Sequence, residues 1–275
     1  MKENLANSQK SLSKAKAAST GRKKDRRPQS NSTDQDPQAP DRRYNRMNLF
    51  DLAYEQIEDL IVSCRLKPGQ YLTTQDLQDS TGLGRTPVHQ AVSRLAADTI
   101  IFIRPRHGLQ IATVDLERER VLLRLRADIE RFVIRLATER SEASHHNQML
   151  YLARILRERG ETMTIEEFNK FDRRIDRLIL TAAKEPFLEH TLRPLHTIFR
   201  RVGWLYHTKT ATGVGPNQSI DCHIAVLETI ANHQVKAATA ASDKLIDFVD
   251  GMFDVIGQEL DPALLDYSLE PLTAE

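Results

Sequence analysis

The chain has 275 residues, a formal net charge of +1 and two cysteines, which allows two domains at about 100–200 residues each. No apolar run approaches the roughly 18–20 residues of a membrane span. The start, Met1-Lys2-Glu3-Asn4-Leu5, lacks the apolar block of a secretory signal. Cys64 and Cys222 lie far apart in different predicted helices. These features argue against a spanning protein, a disulfide-stapled secreted domain and a cysteine-rich metal module, and predict a soluble protein of the reducing cytoplasm.

The net charge conceals an uneven distribution. Residues 1–46 hold 12 Lys/Arg against 5 Asp/Glu, whereas the remaining 229 hold 27 against 33. The first stretch is rich in Ser, Lys, Arg, Gln, Asn and Asp with few large apolar residues, so it cannot offset its ordering entropy and reads as a disordered basic tail. Its cluster Arg22-Lys23-Lys24 with Arg26-Arg27 fits either non-specific contact with phosphates or a solubilising leader.

From Met47 the pattern becomes periodic. Leu49, Leu52, Ala53, Ile57, Leu60, Ile61 and Cys64 recur at helical spacing. Lys67-Pro68-Gly69-Gln70 is a turn, and a short helix is predicted from about Thr74 to Ser80, with Thr73 or Thr74 as N-cap. After the tight turn Thr81-Gly82-Leu83-Gly84 comes a helix expected to be capped by Thr86, with Pro87 at its first position. Val88, Ala91, Val92 and Leu95 form its apolar face. The opposite face offers His89, Gln90, Ser93 and Arg94, with Arg85 just ahead. A small apolar face backed by a donor-rich face suits a reader of the DNA major groove.

Ile100 to Ile103 and Leu109 to Val114 have strand composition and flank Arg104-Pro105-Arg106-His107-Gly108. This hairpin reads as a wing able to lay Arg104 and Arg106 against phosphates or in a minor groove. Residues 84–111 carry four Arg and one Asp, residues 51–79 two cations and six carboxylates, so cations gather on the half expected to face DNA.

Beyond Leu116 the pattern is helical throughout. Helices are predicted near 116–140, 145–159, 164–183, 187–208, 218–232 and 235–260, broken at Gly160-Glu161, Glu185-Pro186, the Thr212–Pro216 stretch and Asn232-His233. The expected architecture is mainly α: a winged helix-turn-helix over 47–114, an antiparallel bundle of about six helices over 115–260, and a flexible tail over 261–275. No nucleophile elbow, phosphate-binding glycine loop or His-Glu-x-x-His is present, so an enzyme is not expected. The adjacent His145 and His146 read as surface residues.

The segment Gly84-Arg85-Thr86-Pro87-Val88-His89-Gln90-Ala91-Val92-Ser93-Arg94-Leu95 resembles the recognition-helix signature of GntR-type regulators. The Leu66–Gly69 turn and the wing fall at that family's spacing, so the resemblance covers residues 47–114. It implies double-stranded operator DNA as partner, with Gln75, Arg85, Thr86, His89, Gln90, Arg94, Arg104, Arg106, His107 and Gly108 as contacts. Three positions depart from the family: Gly84 replaces a usual Ser, His89 a usual Arg, and Gln75 an Arg of the second helix. Two cationic contacts are thus weakened, and operator sequence and salt dependence should differ accordingly.

Residues 117–256 resemble the FCD-type effector domain. Arg126 to Glu130 matches an Arg-x-x-x-Glu pattern, Asp172 to Asp176 an Asp-x-x-Phe-His pattern with Asp176 in place of His, and His223 to Ile230 a His-led helix. The resemblance implies a homodimer controlled by a small effector, and where such domains hold metal, one Asp and three His as ligands. The last His aligns with Leu245, which cannot ligate.

The residues themselves leave three readings open. Asp172 and Asp176 lie one turn apart on the inward stripe of Ile165, Phe168, Ile175, Ile179 and Ala182, and His223 sits among Ile220, Ile224, Leu227 and Ile230. Buried charges need partners. Asp172, Asp176 and His223 could bind a divalent cation. The carboxylates could instead pair with a nearby Arg or a water. Or the pocket could take a small organic acid, with Arg126, Arg200 or Trp204 meeting its carboxylate and carbon skeleton. Loss of the ligand set also allows a helical domain that only dimerises.

Overall fold

Asn48 accepts a hydrogen bond from Phe50 N at 3.2 Å and so caps α1, Leu49–Val62. The computed structural model describes residues 48–213 and 215–269; the expected basic tail and the last six residues lie outside them. Three strands and two helices complete the winged module: β1 (Tyr71–Leu72), α2 (Thr74–Thr81), α3 (Arg85–Ala97) with the hairpin β2 (Ile101–Arg104) and β3 (Gly108–Ile111). Thr73 and Asp76 form a reciprocal capping box at the start of α2, and Gly82 ends it in the left-handed conformation that glycine adopts at least cost. Helix α3 begins earlier than expected. Gly84 is its N-cap and Thr86 lies inside the first turn.

The sheet is antiparallel in the order β1-β3-β2, with Ile101 opposite Ile111 and Arg104 opposite Gly108. Strand β1 is the element the sequence pattern missed, because two residues show no alternation. Ala53, Ile57, Ile61, Leu77, Val88, Ala91, Leu95, Ile101 and Ile111 are almost wholly buried beneath these elements. Each large apolar side chain of this kind stabilises by about 1.5–3 kcal/mol when fully buried.

Six helices follow: α4 (Leu116–Arg140), α5 (Ala143–Arg159), α6 (Ile165–Ala183), α7 (Pro186–Lys209), α8 (Asn217–Ala231) and α9 (Val235–Glu259). Their ends follow local chemistry. Thr164 and Glu167 cap α6 reciprocally, Lys184 closes it at φ 54°, and Pro186 starts α7 where its missing N–H costs nothing. Helix α4 packs on α6, α7 and α9, while α5 packs on α8. Among the described residues no helix is long and apolar enough to cross a membrane.

The two parts are joined by more than the covalent link. Arg201 of α7 donates to the carbonyls of Ala112 and Thr113 at 2.7 and 3.1 Å and to Glu119 at 3.0 Å. Residues 261–269, expected to be part of a flexible tail, instead lie against the winged module. Val114 N donates to Leu265 O at 2.9 Å and Tyr267 N to Pro68 O at 2.8 Å, and Lys67 Nζ sits 4.4 Å over the Tyr267 ring.

Candidate functional site

Helix α3 buries Val88, Ala91, Val92 and Leu95 in the winged core, leaving Arg85, Thr86, His89, Gln90 and Ser93 exposed on one ridge. The bundle does not cover this ridge. Arg85 has no ion pair or hydrogen bond among the described residues, so its guanidinium is available to a base or phosphate. Arg94 departs from the expected set. It turns toward α1, its guanidinium 4.8 Å over the Tyr54 ring and 5.5 Å over Phe50, with Asp51 at 3.9 Å. Gln75 is exposed on α2, held by its own Nε2 donating to Asp79 at 2.8 Å.

The wing is shaped by backbone conformation as much as by charge. Arg106 has φ 68° and Gly108 φ 86°; a Cβ at Gly108 would meet Leu72 O at 2.7 Å. Only glycine lets the hairpin turn this close to β1. Arg104 is braced by Gln110 at 2.8 Å and by Phe102, 5.0 Å from its ring. Arg106 is exposed without an ion pair or hydrogen bond among the described residues, and His107 packs edge-on to Tyr71 at 6.4 Å. Cations on the wing and donors on α3 therefore flank one open surface, the arrangement needed to hold phosphates and read base edges.

A second set of functional side chains lies inside the bundle. Arg200, with 3% of its side chain exposed, donates Nε to Asp172 and Nη2 to Asp176, both at 2.8 Å. His223 contacts both Asp172 through Nε2 at 2.8 Å and Ser219 O through Nδ1 at 2.7 Å. His196 bridges Glu130 and Asp176, 3.3 Å to each, and Glu130 also takes Arg126 at 3.0 Å. Arg200 then reaches on to Glu58 of α1 at 3.3 Å, where Arg173 arrives at 3.0 Å and the Thr197 hydroxyl also donates.

Burial disfavours the charged forms of Asp172, Glu130, Asp176 and His223, and their partners decide whether it wins. It would raise the Asp172 carboxyl, but Arg200 and His223 outweigh it and hold the group well below the ordinary carboxylate range. Glu130 follows the same logic with Arg126 and His196, and falls to about 2. At Asp176 burial prevails with the help of neighbouring Asp172, and its pKa is raised despite His196 and Arg200. Burial disfavours the charged form of His223, yet the bond to Asp172 raises its pKa.

The structure thus brings Asp172, Asp176 and His223 together, as expected, but around a guanidinium. Arg200 already bonds to both carboxylates from the position between them, and both nitrogens of His223 have partners. Among the described residues no group of three or more His, Cys, Asp or Glu is arranged to hold a metal ion. The donor set does not fit a resident divalent cation. The space beside these residues measures only about 40 Å³, far below the roughly 300–1,000 Å³ of small-molecule pockets. Of the expected effector contacts, Arg126 and Arg200 line it, while Trp204 does not.

Glu58, Arg173 and His196 are the participants that sequence reasoning missed, whereas Glu130 stands out through the Arg-x-x-x-Glu pattern. A signal existed for two of them: Glu58 interrupts the apolar stripe of α1 beside Ile57 and Ile61, and His196 lies among Leu192, Leu195 and Phe199 on α7. The adjacent His145 and His146 are half-buried, and the His146 ring packs edge-on to His233 at 4.4 Å.

Residues 50–111 match the family model described as bacterial regulatory proteins, gntR family, and residues 121–248 match the FCD domain. A search of curated proteins gives no match. Among solved structures, McbR/YncC of E. coli is similar with a TM-score of 0.65 at 17% identity, covering 76% of this chain and 98% of that one. A transcriptional regulator of GntR type from Rhodococcus sp. RHA1 has a TM-score of 0.56 at 14% identity, covering 76% and 97%. At these identities the likeness concerns the fold. The two family models together account for more than half of the sequence, and the chain belongs to the gntR family of bacterial regulatory proteins, as a DNA-binding transcription regulator whose winged module is followed by an FCD domain.

Proposed function

We propose that the chain acts in the cytoplasm as a homodimeric regulator that binds an inverted-repeat operator and is controlled by a small carboxylate held by its helical domain. One observation carries the control: Arg200 bonds at once to Asp172 and Asp176 in the bundle and to Glu58 in the winged module. An acid that competes for this guanidinium changes what holds α1, and a ligand shifts an equilibrium only through such a difference between states.

The DNA contacts in this reading are Arg85, Thr86, His89 and Gln90 on α3 and Arg104, Arg106, His107 and Gly108 in the wing, with Gln75 beside them. Dimerisation is supported by exposed apolar side chains on one side of α4: Val121, Leu125 and Phe132, 63%, 50% and 42% exposed. Rows of this kind mark surfaces that meet a partner, and closed two-fold dimers are the commonest assembly.

A helical domain that only dimerises is favoured by the small space beside Arg200 and by the pairing of Arg126 and Arg200 with carboxylates. Measuring mass in solution, then gel shifts on promoter fragments with and without a panel of organic acids, separates the two. A dimer whose operator affinity changes with an acid supports control. A dimer that binds DNA identically in every acid leaves dimerisation as the domain's only role.

A further inference from the structure

A cavity of about 570 Å³ opens where the winged module meets the bundle, walled by α1 and α3 on one side and α6 and α7 on the other. It is large enough for a small-molecule site. Asp176, His196 and Arg200 form the partition between it and the small space inside the bundle.

Five arginines and five carboxylates line this cavity, so arginine and carboxylate charges balance. Three carboxylates are committed: Glu55 to Arg177, Glu58 to Arg173 and Arg200, and Asp176 to Arg200. The remaining charges are under-used. Arg94 stacks on Tyr54 and comes only within 3.9 Å of Asp51. Arg193 donates Nη2 to Asp98 at 3.2 Å, while its Nε and Nη1 are buried without an acceptor. Glu189 is exposed and has no ion pair or hydrogen bond among the described residues. Arg94 and Asp51 thus hold each other only at long range, Arg193 is engaged through one nitrogen, and Glu189 stands free among the described residues, while the Tyr54 ring and Leu180 add apolar surface to the same walls.

We propose that this cavity binds a zwitterion, an α-amino acid, with its carboxylate on Arg94 and Arg193, its ammonium on Asp51 and Glu189, and its side chain against Tyr54 and Leu180. A dicarboxylate would meet the carboxylates of Asp51 and Glu189, and a simple amine would meet the two guanidinia, so like charges oppose both. The ligand touches α3 through Arg94 and α7 through Arg193, whose guanidinium also holds Asp98 at the C-terminal cap of α3. It therefore bears directly on how the recognition helix is seated. This rests on control by a small acid, and moves that acid from inside the bundle to the junction.

The test is thermal shift and calorimetry on the full chain with L-glutamate, L-lysine and L-leucine, and with succinate and propylamine as single-sign probes. Saturable binding of at least one amino acid, with neither single-sign probe matching it, is the expected result. Glu189→Gln and Arg94→Met should each weaken that binding about tenfold, the effect of losing one charged hydrogen bond; Glu189 is exposed and unpaired, so its variant folds. Amino-acid binding unchanged in both variants but lost in Arg126→Met would put the ligand inside the bundle, overturning this site while leaving effector control intact. If no acid or amino acid bound at millimolar concentration, both would fall.

Discussion

Arg200 of α7 and Glu58 of α1 face each other across the junction of the two modules, Nη1 to Oε1 at 3.3 Å, each with 3% of its side chain exposed. Removing one partner of a buried ion pair leaves the other uncompensated and costs about 3–5 kcal/mol. Glu58→Ala strands part of both Arg200 and Arg173. Urea denaturation should show a loss of that size; a loss below about 1 kcal/mol would mean that Asp172 and Asp176 satisfy Arg200 on their own.

The same guanidinium predicts metal independence. Chelators or added zinc should leave the melting temperature of the wild type unchanged, because Arg200 already supplies the positive charge between Asp172 and Asp176. Arg200→Ala should be much less stable, and zinc should now raise its melting temperature. Saturation at about 100 times the dissociation constant stabilises by about 2.7 kcal/mol. Zinc that stabilises the wild type as strongly as the variant would contradict this account.

Glu119 sets a pH dependence at the link between the modules. Its side chain is fully buried, Oε1 accepts from Arg201 at 3.0 Å, and Oε2 has no hydrogen-bond partner. Burial pushes its pKa from the ordinary 4.5 up to about 7, and Arg201 pulls it back only part of the way. Between those values the folded chain retains a proton that the unfolded chain releases. Its stabilising contribution is therefore complete below about pH 4.5 and is lost as pH rises through about 7. Glu119→Gln keeps the shape of the protonated form and removes this slope. Melting temperatures compared from about pH 5 to about pH 8 should favour the variant increasingly as pH rises.

Much of this was legible in the sequence, for reasons that are local. Gly160, Pro186 and Asn232 punctuate the helices, and predicted and observed ends agree within a few residues because caps and breakers act within one turn. Asp172 and Asp176 betrayed themselves by lying on an apolar stripe. What the sequence withheld depends on distance in three dimensions. That Arg200, and no other arginine, lies between those carboxylates is decided by how α6 meets α7. Arg94 follows the outward Ser93 by about 100° of helical rotation, which carries it off the exposed ridge and toward Tyr54. The docking of residues 261–269 has no periodic signature, since it rests on two backbone hydrogen bonds and a stacked lysine.

That docking makes Gly69 sensitive. Its φ is 79°, and a Cβ there would overlap the Asp266 carboxylate and lie 3.2 Å from Tyr267 N. Gly69→Ala combines left-handed strain of about 1–2 kcal/mol with displacement of the C-terminal segment. Proteolysis should then cut near residues 261–269 faster than in the wild type. Deletion of residues 261–275 should reproduce the destabilisation and make the Gly69→Ala penalty smaller, because the clash is gone while the strain remains.

The open surface separates two kinds of DNA contact. Arg85 lies at the start of α3 on the exposed ridge, where a guanidinium can reach a base edge, whereas Arg106 is exposed on the wing, where it can meet phosphates. If Arg85 reads a base, Arg85→Ala weakens operator binding by about 1–3 kcal/mol and relaxes preference at one position of each half-site. Arg106→Ala should weaken binding to all sequences alike and reduce the slope of log affinity against log salt by about 1. Arg94→Met, on the far side of the same helix, should leave sequence preference as it was. Binding titrations over a salt series, on an operator and on point-substituted operators, measure all three. Equal losses for Arg85→Ala on every sequence would reassign that residue to the phosphates and leave His89 and Gln90 as the readers on the ridge.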